Sequence, residues 1–387
     1  MGEAESADVK GRADALLRAG EAKAALALLV VLEADDLTPE LFLDKALALR
    51  MLGDLAAAIE ALDAALVLDP RNFLALLSKG ALLERLGRSK EAVVVYKAAI
   101  AVAPPADVVP PGLAAPLARA KAAVKAFSDA LAAHLMASVA ESRSHYAGED
   151  LGRFDESLEI FAGRARAFVQ EPLLLHYPRL PAIPFYDRTY FPWLGDLEAA
   201  TADIRGEFEA AQATRLDDFA PYIAFPAGAP VNQWGELNHS RRWSSLFLWR
   251  DGVRQEATCA LCPRTAAVLA SLPMADQPGF APTAMFSVLE PRTRIPAHTG
   301  SANTRLIVHL PLVLPGPARF RVGAVTRPWR IGEAWVFDDT IEHEAWNDAD
   351  EPRAILILDV WNPLLSEAER MLVSAMMTAK NAFQSEG

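Results

Sequence analysis

Cysteine is nearly absent from this chain of 387 residues: Cys259 and Cys262, in C-A-L-C-P, are the only two. That scarcity excludes a disulfide-dense secreted scaffold. A C-x-x-C pair is also half of a zinc ribbon, but no second pair completes one and no thioredoxin-like βαβ pattern surrounds it. Packing, or pairing within a loop, is the plain expectation. Positive charge is scarce as well, with 38 Lys and Arg against 50 Asp and Glu, a formal net charge of −12 and a pI near 5.2. Such a field opposes a phosphate backbone, so nucleic acid is set aside as a partner, although a local basic pocket is not. Long apolar runs are missing too. L-A-L-L-V-V-L is far too short to cross a bilayer, so no transmembrane segment is expected. The start, M-G-E-A-E-S-A-D-V-K, lacks the apolar core of a secretory signal, and its superficial myristoylation pattern has no second anchor beside it. A cytoplasmic location is the resulting expectation.

What the chain does have is apolar material, 52% of its residues, enough at this length for two or three domain cores. Residues 39–72 repeat in 73–106: Leu52 and Gly53 fall on Leu86 and Gly87, Ala58 on Ala92, Ala64 on Ala98 and Pro70 on Pro104, each pair 34 residues apart. Glycine at a turn, small residues where helices touch and proline at the exit, at this period, are the tetratricopeptide signature. A shorter, degenerate copy lies around Gly20, 33 residues before Gly53, as suits a capping unit. Residues 1–106 are therefore read as an α-helical solenoid. Its concave face suits a peptide or protein partner; equally, so short an array serves packing against the next domain or self-association. The proline-rich A-P-P-A-D-V-V-P-P-G-L-A-A-P stops the array. Helical spacing then resumes, so residues 107–176 read as linker and bridging helices. His134 and His145 lie there without a partner motif.

From residue 177 to 387 the pattern changes. Y-P-R-L-P-A-I-P-F-Y-D-R-T-Y-F-P-W is incompatible with a regular helix and reads as an extended strap laying its rings on a sheet. D-L-E-A-A-T-A-D-I-R-G-E-F-E-A-A-Q predicts one amphipathic helix, and C-P-R-T-A-A-V-L-A-S-L-P another. W-S-S-L-F-L-W-R-D-G-V predicts a strand and a D-G turn. After Gln277 come T-A-M-F-S-V-L-E, T-R-L-I-V-H-L-P-L-V-L, A-R-F-R-V-G-A-V, E-A-W-V-F-D-D and A-I-L-I-L-D-V-W, short strands parted by turn signals. Together they predict a barrel or double-sheet jelly roll with helices outside, in a multidomain α+β chain.

Two histidines 45 residues apart centre this half: His298 in R-I-P-A-H-T-G and His343 in F-D-D-T-I-E-H-E-A-W. Between them, alternation puts Arg305, Ile307 and His309 on one strand face and Leu306, Val308 and Leu310 on the other. Arg353 follows ten residues after His343. Two imidazoles for a metal, with a guanidinium and a third imidazole on neighbouring strands, make a site for a metal plus a dianionic acid. Open non-haem iron sites usually add a carboxylate two residues after the first histidine, where this chain has Gly300. Spacing alone does not separate such a pair from hydrogen-bonded core histidines, nor Arg353 from a surface charge. Trp243, with Arg241 or Arg242, suits either a substrate entrance or plain packing and solvated charge, and His176 and His239 carry no assignment.

The runs H-T-G-S-A-N-T-R-L-I-V-H-L-P-L, W-R-I-G-E-A-W-V-F-D-D-T-I-E-H-E-A-W-N-D and R-A-I-L-I-L-D-V-W-N-P resemble the aspartyl/asparaginyl β-hydroxylase family of 2-oxoglutarate-dependent oxygenases. The upstream Y-P-R-L-P-A-I-P-F-Y-D and F-P-W-L resemble it too, and the helical repeat in front is similar to animal members. The resemblance implies a double-stranded β-helix, or cupin-like jelly roll. It also implies iron(II) held by His298 and His343 without a carboxylate, so Gly300 fits the family. In that likeness Arg353 and Ser287 grip the distal carboxylate of 2-oxoglutarate, His309 contacts the carboxylate beside the metal, and Asp339 holds metal-bound water. Members often carry arginine where this chain has Ile307; Arg305, on the same strand face, is the candidate to compensate. The implied activity is dioxygen-dependent hydroxylation of the β-carbon of an aspartyl or asparaginyl residue in a peptide or protein. Two alternatives stand beside it: the same chemistry on a lipid acyl chain, and a catalytically weak scaffold that binds metal or acid, which Ile307 favours.

Overall fold

Glycine at the turns and alanine at the contacts organise the first part of the chain. The computed structural model describes residues 3–32 and 37–385, and the chain divides into two compact units between Arg166 and Ala167. In the first, helices α1 (Glu3–Ala19) and α2 (Ala22–Leu32), α3 (Pro39–Met51) and α4 (Leu55–Leu68), and α5 (Phe73–Arg85) and α6 (Ser89–Ala101) form three successive pairs. Gly20, Gly53 and Gly87 turn between the partners with φ of +82°, +85° and +74°, a region that side chains disfavour. The side chains of Thr38, Asp54 and Asn72 cap α3, α4 and α5, each contributing about 1 kcal/mol.

Ala58 and Ala92 are buried, as the repeat predicts, but the second small-residue pair is Ala65 and Ala99; Ala98 is exposed. Seven residues on from Ala58 returns to the same helix stripe, and six does not. Gly80 lets the Tyr96 ring lie directly against the backbone of α5. Helix α7 (Pro111–His145) starts earlier than the proline content suggests, because proline in the first turn gives up an N–H that has no intrahelical acceptor. Helix α8 (Gly152–Phe161) packs Leu158 against Ala132 of α7.

In the second unit, the aromatic strap is extended as expected: Tyr186 N donates to Val336 O at 2.9 Å, and the Phe185 ring meets Trp335 edge-on at 5.6 Å. The single amphipathic helix is instead two, α9 (Leu194–Ala199) and α10 (Thr201–Thr214). At the break the Thr201 hydroxyl donates to the Glu198 carbonyl. Strands β1 (Ala220–Pro221), β2 (Trp243–Arg250) and β3 (Val253–Arg254) come next, with Asp251 and Gly252 at positive φ in the D-G turn. Helices α11 (Glu256–Leu261) and α12 (Pro263–Ser271) follow. Then come β4 (Ala284–Leu289), β5 (Thr293–His298), β6 (Arg305–Val313), β7 (Ala318–Val322), β8 (Val325–Pro328), β9 (Trp335–Phe337), β10 (His343–Asn347), β11 (Arg353–Trp361) and a final helix α13 (Glu367–Ser385).

All ladders are antiparallel. One sheet runs β1-β2-β4-β11-β6-β9, with β3 on β2; the other runs β5-β10-β7-β8. On the outer face of the large sheet Leu306, Val308, Leu310, Phe286 and Leu356 pack with Ile204, Phe208 and Leu269 of the helices, each full burial adding roughly 1.5–3 kcal/mol. Cys259 and Cys262 are free thiols in that layer. The inner face, with Trp243, Leu289, Ile307 and Ile355, meets Ile295, Phe320, Val322 and Ala345 of the small sheet. The chain is thus mixed α+β: helical repeats, then an antiparallel double-sheet domain with flanking helices. Neither β5 nor β10 is conspicuous in sequence. Pro296 interrupts β5, which tolerates it as an edge strand, and β10 is a short, polar, bulged segment.

Candidate metal centre and acid pocket

The β5–β10 ladder makes His298 and His343 direct cross-strand partners, with ring centroids 4.1 Å apart. Each Nδ1 meets the carbonyl two residues earlier, Pro296 O at 2.7 Å and Ile341 O at 3.0 Å. A carbonyl accepts only from a protonated Nδ1, so the lone pair of each ring sits on Nε2, the form that ligates metals. Burial, and then the neighbouring His343, hold His298 down to about 3; burial holds His343 down to about 4. Both rings are therefore neutral at ordinary pH. Among the described residues no cluster of three or more His, Cys, Asp or Glu has metal-holding geometry, so the donor set here is the imidazole pair alone.

Gly300 explains the missing carboxylate. A Cβ built on it would overlap the carboxyl group of Asp339, with Oδ1 at 2.6 Å and the other atoms closer. The space that a third ligand would take on leaving the histidine strand is filled by Asp339, reaching in from the β9–β10 connection. Gly300 N donates to Asp339 O at 2.6 Å, Asp339 Oδ2 lies 3.4 Å from Arg305 Nη2, and the buried Oδ1 has no partner. Burial raises this carboxyl above its ordinary value, and Arg305 opposes the rise.

Arg353, 1% exposed, stands on the inner face of β11. Its guanidinium lies 4.5 Å over the Trp329 ring, and Nε and Nη1 have no hydrogen-bond partner. Desolvation alone pulls it down to about 9. Leaving a buried charge unpaired costs several kcal/mol, which an anionic ligand would recover. His309 stands on neighbouring β6, its ring 4.7 Å from Phe337 and 4.9 Å from Phe320 and its Nδ1 unpartnered. Burial first, then Arg353, keep it well below the ordinary imidazole range. Ser287 Oγ accepts from Trp243 Nε1 at 3.1 Å. Arg305 is engaged by carboxylates, with Nη1 3.1 Å from Asp359 Oδ1 and Nη2 facing Asp339, and it lies over Phe280.

One cavity of about 420 Å³ brings together His298, His343, Asp339, Ser287, Arg305, Ile307, His309 and Arg353, within the size range of small-molecule sites. The alternation read from β6 holds: Arg305, Ile307 and His309 face this cavity, while Leu306, Val308 and Leu310 face the helices. Trp243 lines it, whereas Arg241 and Arg242 turn to Asp217 and Thr293. His239 does not line the cavity itself; its Nε2 meets the carbonyl of Phe225, which does. Sequence reasoning passed over Trp234, whose ring stands 4.9 Å from His298, Tyr222, which packs on Trp243 at 4.2 Å, and Asp359. The aromatic density before β2 was the available signal for the first two. Nothing marked Asp359 beyond its place on the inward face of β11.

The fold and the site define a double-sheet domain enclosing two neutral imidazoles at one place and an unpaired guanidinium at another. The family model described as Aspartyl/Asparaginyl beta-hydroxylase matches residues 198–363, and that of the tetratricopeptide repeat matches 74–105. A Rhizobium tropici protein named ornithine lipid ester-linked acyl 2-hydroxylase is 35% identical over 201 residues, 51% of this chain and 67% of that protein. The human aspartyl/asparaginyl beta-hydroxylase is 37% identical over 142 residues, 36% of this chain and 18% of its own length. A Xenopus tropicalis protein named aspartate beta-hydroxylase domain-containing protein 2 is 31% identical over 261 residues, 64% of this chain and 66% of its own. The chain belongs to the aspartyl/asparaginyl β-hydroxylase family. It spans two thirds of the Rhizobium relative and under a fifth of the human one.

Proposed function

We propose that this protein is an iron(II)- and 2-oxoglutarate-dependent hydroxylase. The observation that carries the reading is one cavity pairing two imidazoles, each with its lone pair on Nε2, with a buried guanidinium that, among the described residues, no carboxylate neutralises. The donors fit the group: His298 and His343 would hold the metal as neutral ligands, and open positions remain because no protein carboxylate joins them. Bound iron(II), with 2-oxoglutarate and dioxygen, supplies the oxidising power that puts one oxygen atom on an unactivated carbon and the other on succinate, with loss of carbon dioxide.

The chain's own residues orient and seclude. Arg353, with the Ser287 hydroxyl, receives the distal carboxylate, contributing about 1.5–3 kcal/mol for each charge-assisted hydrogen bond. His309 Nδ1 or its ring partner donates to the nearer carboxylate. Asp339 presents Oδ1 beside the imidazole pair as an acceptor for bound water, and Arg305 holds its other oxygen. Trp234, Trp243 and Tyr222 keep bulk water from the imidazoles. The Cys259 and Cys262 thiols, unpaired, accord with a reducing, cytoplasmic setting. The helical repeats before the double-sheet domain would present a peptide or protein partner.

The family reading of the substrate is the β-carbon of an aspartyl or asparaginyl residue. A second reading, an acyl chain, is favoured by one observation: Arg305 is already engaged by Asp359 and Asp339, while Tyr222, Ile223, Phe225, Trp234 and Met285 give the wall a broad apolar stretch. Purified protein with iron(II), ascorbate and 2-oxoglutarate should form succinate in step with a +16 Da product. A panel of Asp/Asn peptides and a bacterial lipid extract, assayed side by side, decide between substrates. Absence of 2-oxoglutarate binding in the presence of Mn(II) would overturn the proposal.

A further inference from the structure

Resting on that reading of the acid pocket, we infer that Trp329 is a positioning residue for the 2-oxo diacid: its indole face holds the Arg353 guanidinium in the plane from which it grips the distal carboxylate. Trp329 follows β8, is 6% exposed and does not itself line the proposed ligand's pocket; it backs the lining residues Arg353, Phe320 and His309. Arg353 needs such a support. It is buried on a strand, Nε and Nη1 have no acceptor, and its contact at 4.5 Å is the face of this ring. A guanidinium stacked on an aromatic face keeps its N–H edge free for a carboxylate, whereas one held by a protein carboxylate would have that edge occupied.

The ring is itself fixed. Trp335 lies 5.9 Å away with 14° between planes, Phe320 lies 5.5 Å away with 22°, and those two rings are 6.4 Å apart, so Trp329 is one corner of a triangle of near-parallel rings whose other corners stand on β7 and β9. Its own Nε1 is buried without a partner. Three unsatisfied donors, Arg353 Nε and Nη1 and Trp329 Nε1, thus belong to this one stacked pair, of which Arg353 lines the cavity. A ring present only to fill space would not need to place its face against the charge.

The test is calorimetric titration of the full chain with 2-oxoglutarate in Mn(II), for wild type, Trp329→Leu and Trp329→Phe, repeated with 2-oxobutanoate, which lacks the distal carboxylate. Loss of the stack should raise the 2-oxoglutarate Kd about 30-fold, equivalent to about 2 kcal/mol. KM should rise with it and kcat fall far less. Trp329→Phe keeps a ring face and should stay within about 5-fold of wild type. The 2-oxobutanoate affinity should be the same in all three. Trp329→Met, similar in volume to leucine but flexible enough to fill the gap, carries the leucine expectation if that variant does not fold. Equal losses for both acids would mean a merely structural ring and overturn the inference, as would wild-type 2-oxoglutarate affinity in Trp329→Leu. If wild type binds no 2-oxoglutarate, or Arg353→Met binds it normally, the reading of the pocket fails first.

Discussion

Replacing Gly300 with alanine puts a methyl group where the Asp339 carboxyl already lies, with Oδ1 at 2.6 Å and its other atoms closer. Real Cβ contacts do not fall below 3.0 Å, so something must shift. Asp339 has little room to yield: it is 6% exposed, its carbonyl accepts from Gly300 N at 2.6 Å, and its Oδ2 faces Arg305 at 3.4 Å. Overpacking of this kind costs about 1–3 kcal/mol. Pushing the carboxylate off Arg305 adds part of the cost of a broken buried ion pair, though Asp359 still neutralises the guanidinium. We take about 3 kcal/mol as the expected loss, which for a unit of this size lowers Tm by roughly 6–12 °C. Scanning calorimetry of the full chain should show the drop in the transition of the C-terminal unit. The double variant Gly300→Ala/Asp339→Ala should recover most of it, because the overlap is gone. An alanine variant melting within a degree of wild type, or a double variant no better than the single one, would refute the account of why this position is glycine.

Arg353→Met should leave the ligand-free protein no less stable, since deleting an unpaired buried charge offsets the lost stacking of about 2 kcal/mol. The same variant should abolish the Tm rise that 2-oxoglutarate gives wild type, about 2.7 kcal/mol at one hundred times Kd; a surviving rise would count against Arg353 as the anchor. For pH, His298 and His343 fall from 6.5 to about 3 and about 4 on folding. The unfolded chain therefore binds more protons between roughly 3 and 6.5, and their contribution to stability is lost as pH falls through that window. Asp338 and Asp359, pushed up to about 6 mainly by burial, give the opposite slope between 3.8 and 6. Denaturant melts of wild type against His298→Phe isolate the histidine share, and the variant should lose less stability on acidification. Cys259 and Cys262 are buried and free, with burial pushing the Cys262 thiol up to about 12. A thiol reagent should label neither residue in the native protein and both after unfolding; fast native labelling would contradict the packing.

Much of this was legible where chemistry imposes a period. Gly20, Gly53 and Gly87 mark the helical turns because left-handed backbone excludes most other residues. The inward set of β6 followed from alternation, because successive side chains of a strand point to opposite faces even where both faces are buried. The two strands that carry the imidazoles were the least legible. Pro296 and the polar H-E-A-W-N mask their pairing, which is imposed by neighbours far along the chain. The packing of Gly300 on Asp339 and of Arg353 on Trp329 joins residues from different strands, and no local pattern announces such contacts. The boundary at Ala64 and Ala98 missed by one residue for a simpler reason: identity at a fixed period does not say which face of the helix a residue occupies.

Buried polar atoms normally find partners, and leaving one without costs about 1–3 kcal/mol. Nine such side-chain atoms stand unsatisfied among the described residues; four of them, on His309, Asp339 and Arg353, belong to residues lining the cavity between the sheets, and a fifth belongs to Trp329, the ring stacked on Arg353. Their polarity is ordered. Donors collect at Arg353 and Trp329, stacked on one another, whereas the acceptor Oδ1 of Asp339 lies beside Gly300, two residues from His298. A ligand that satisfies both must carry its negative charge towards Arg353 and leave a hydrogen-bond donor, such as bound water, near Asp339. A neutral or cationic molecule filling the same volume would leave the guanidinium uncompensated. Selection of an acid therefore follows from the unpaired charge that β11 buries, and Ile307, which contributes no charge to the same wall, makes Arg353 carry a larger share of it.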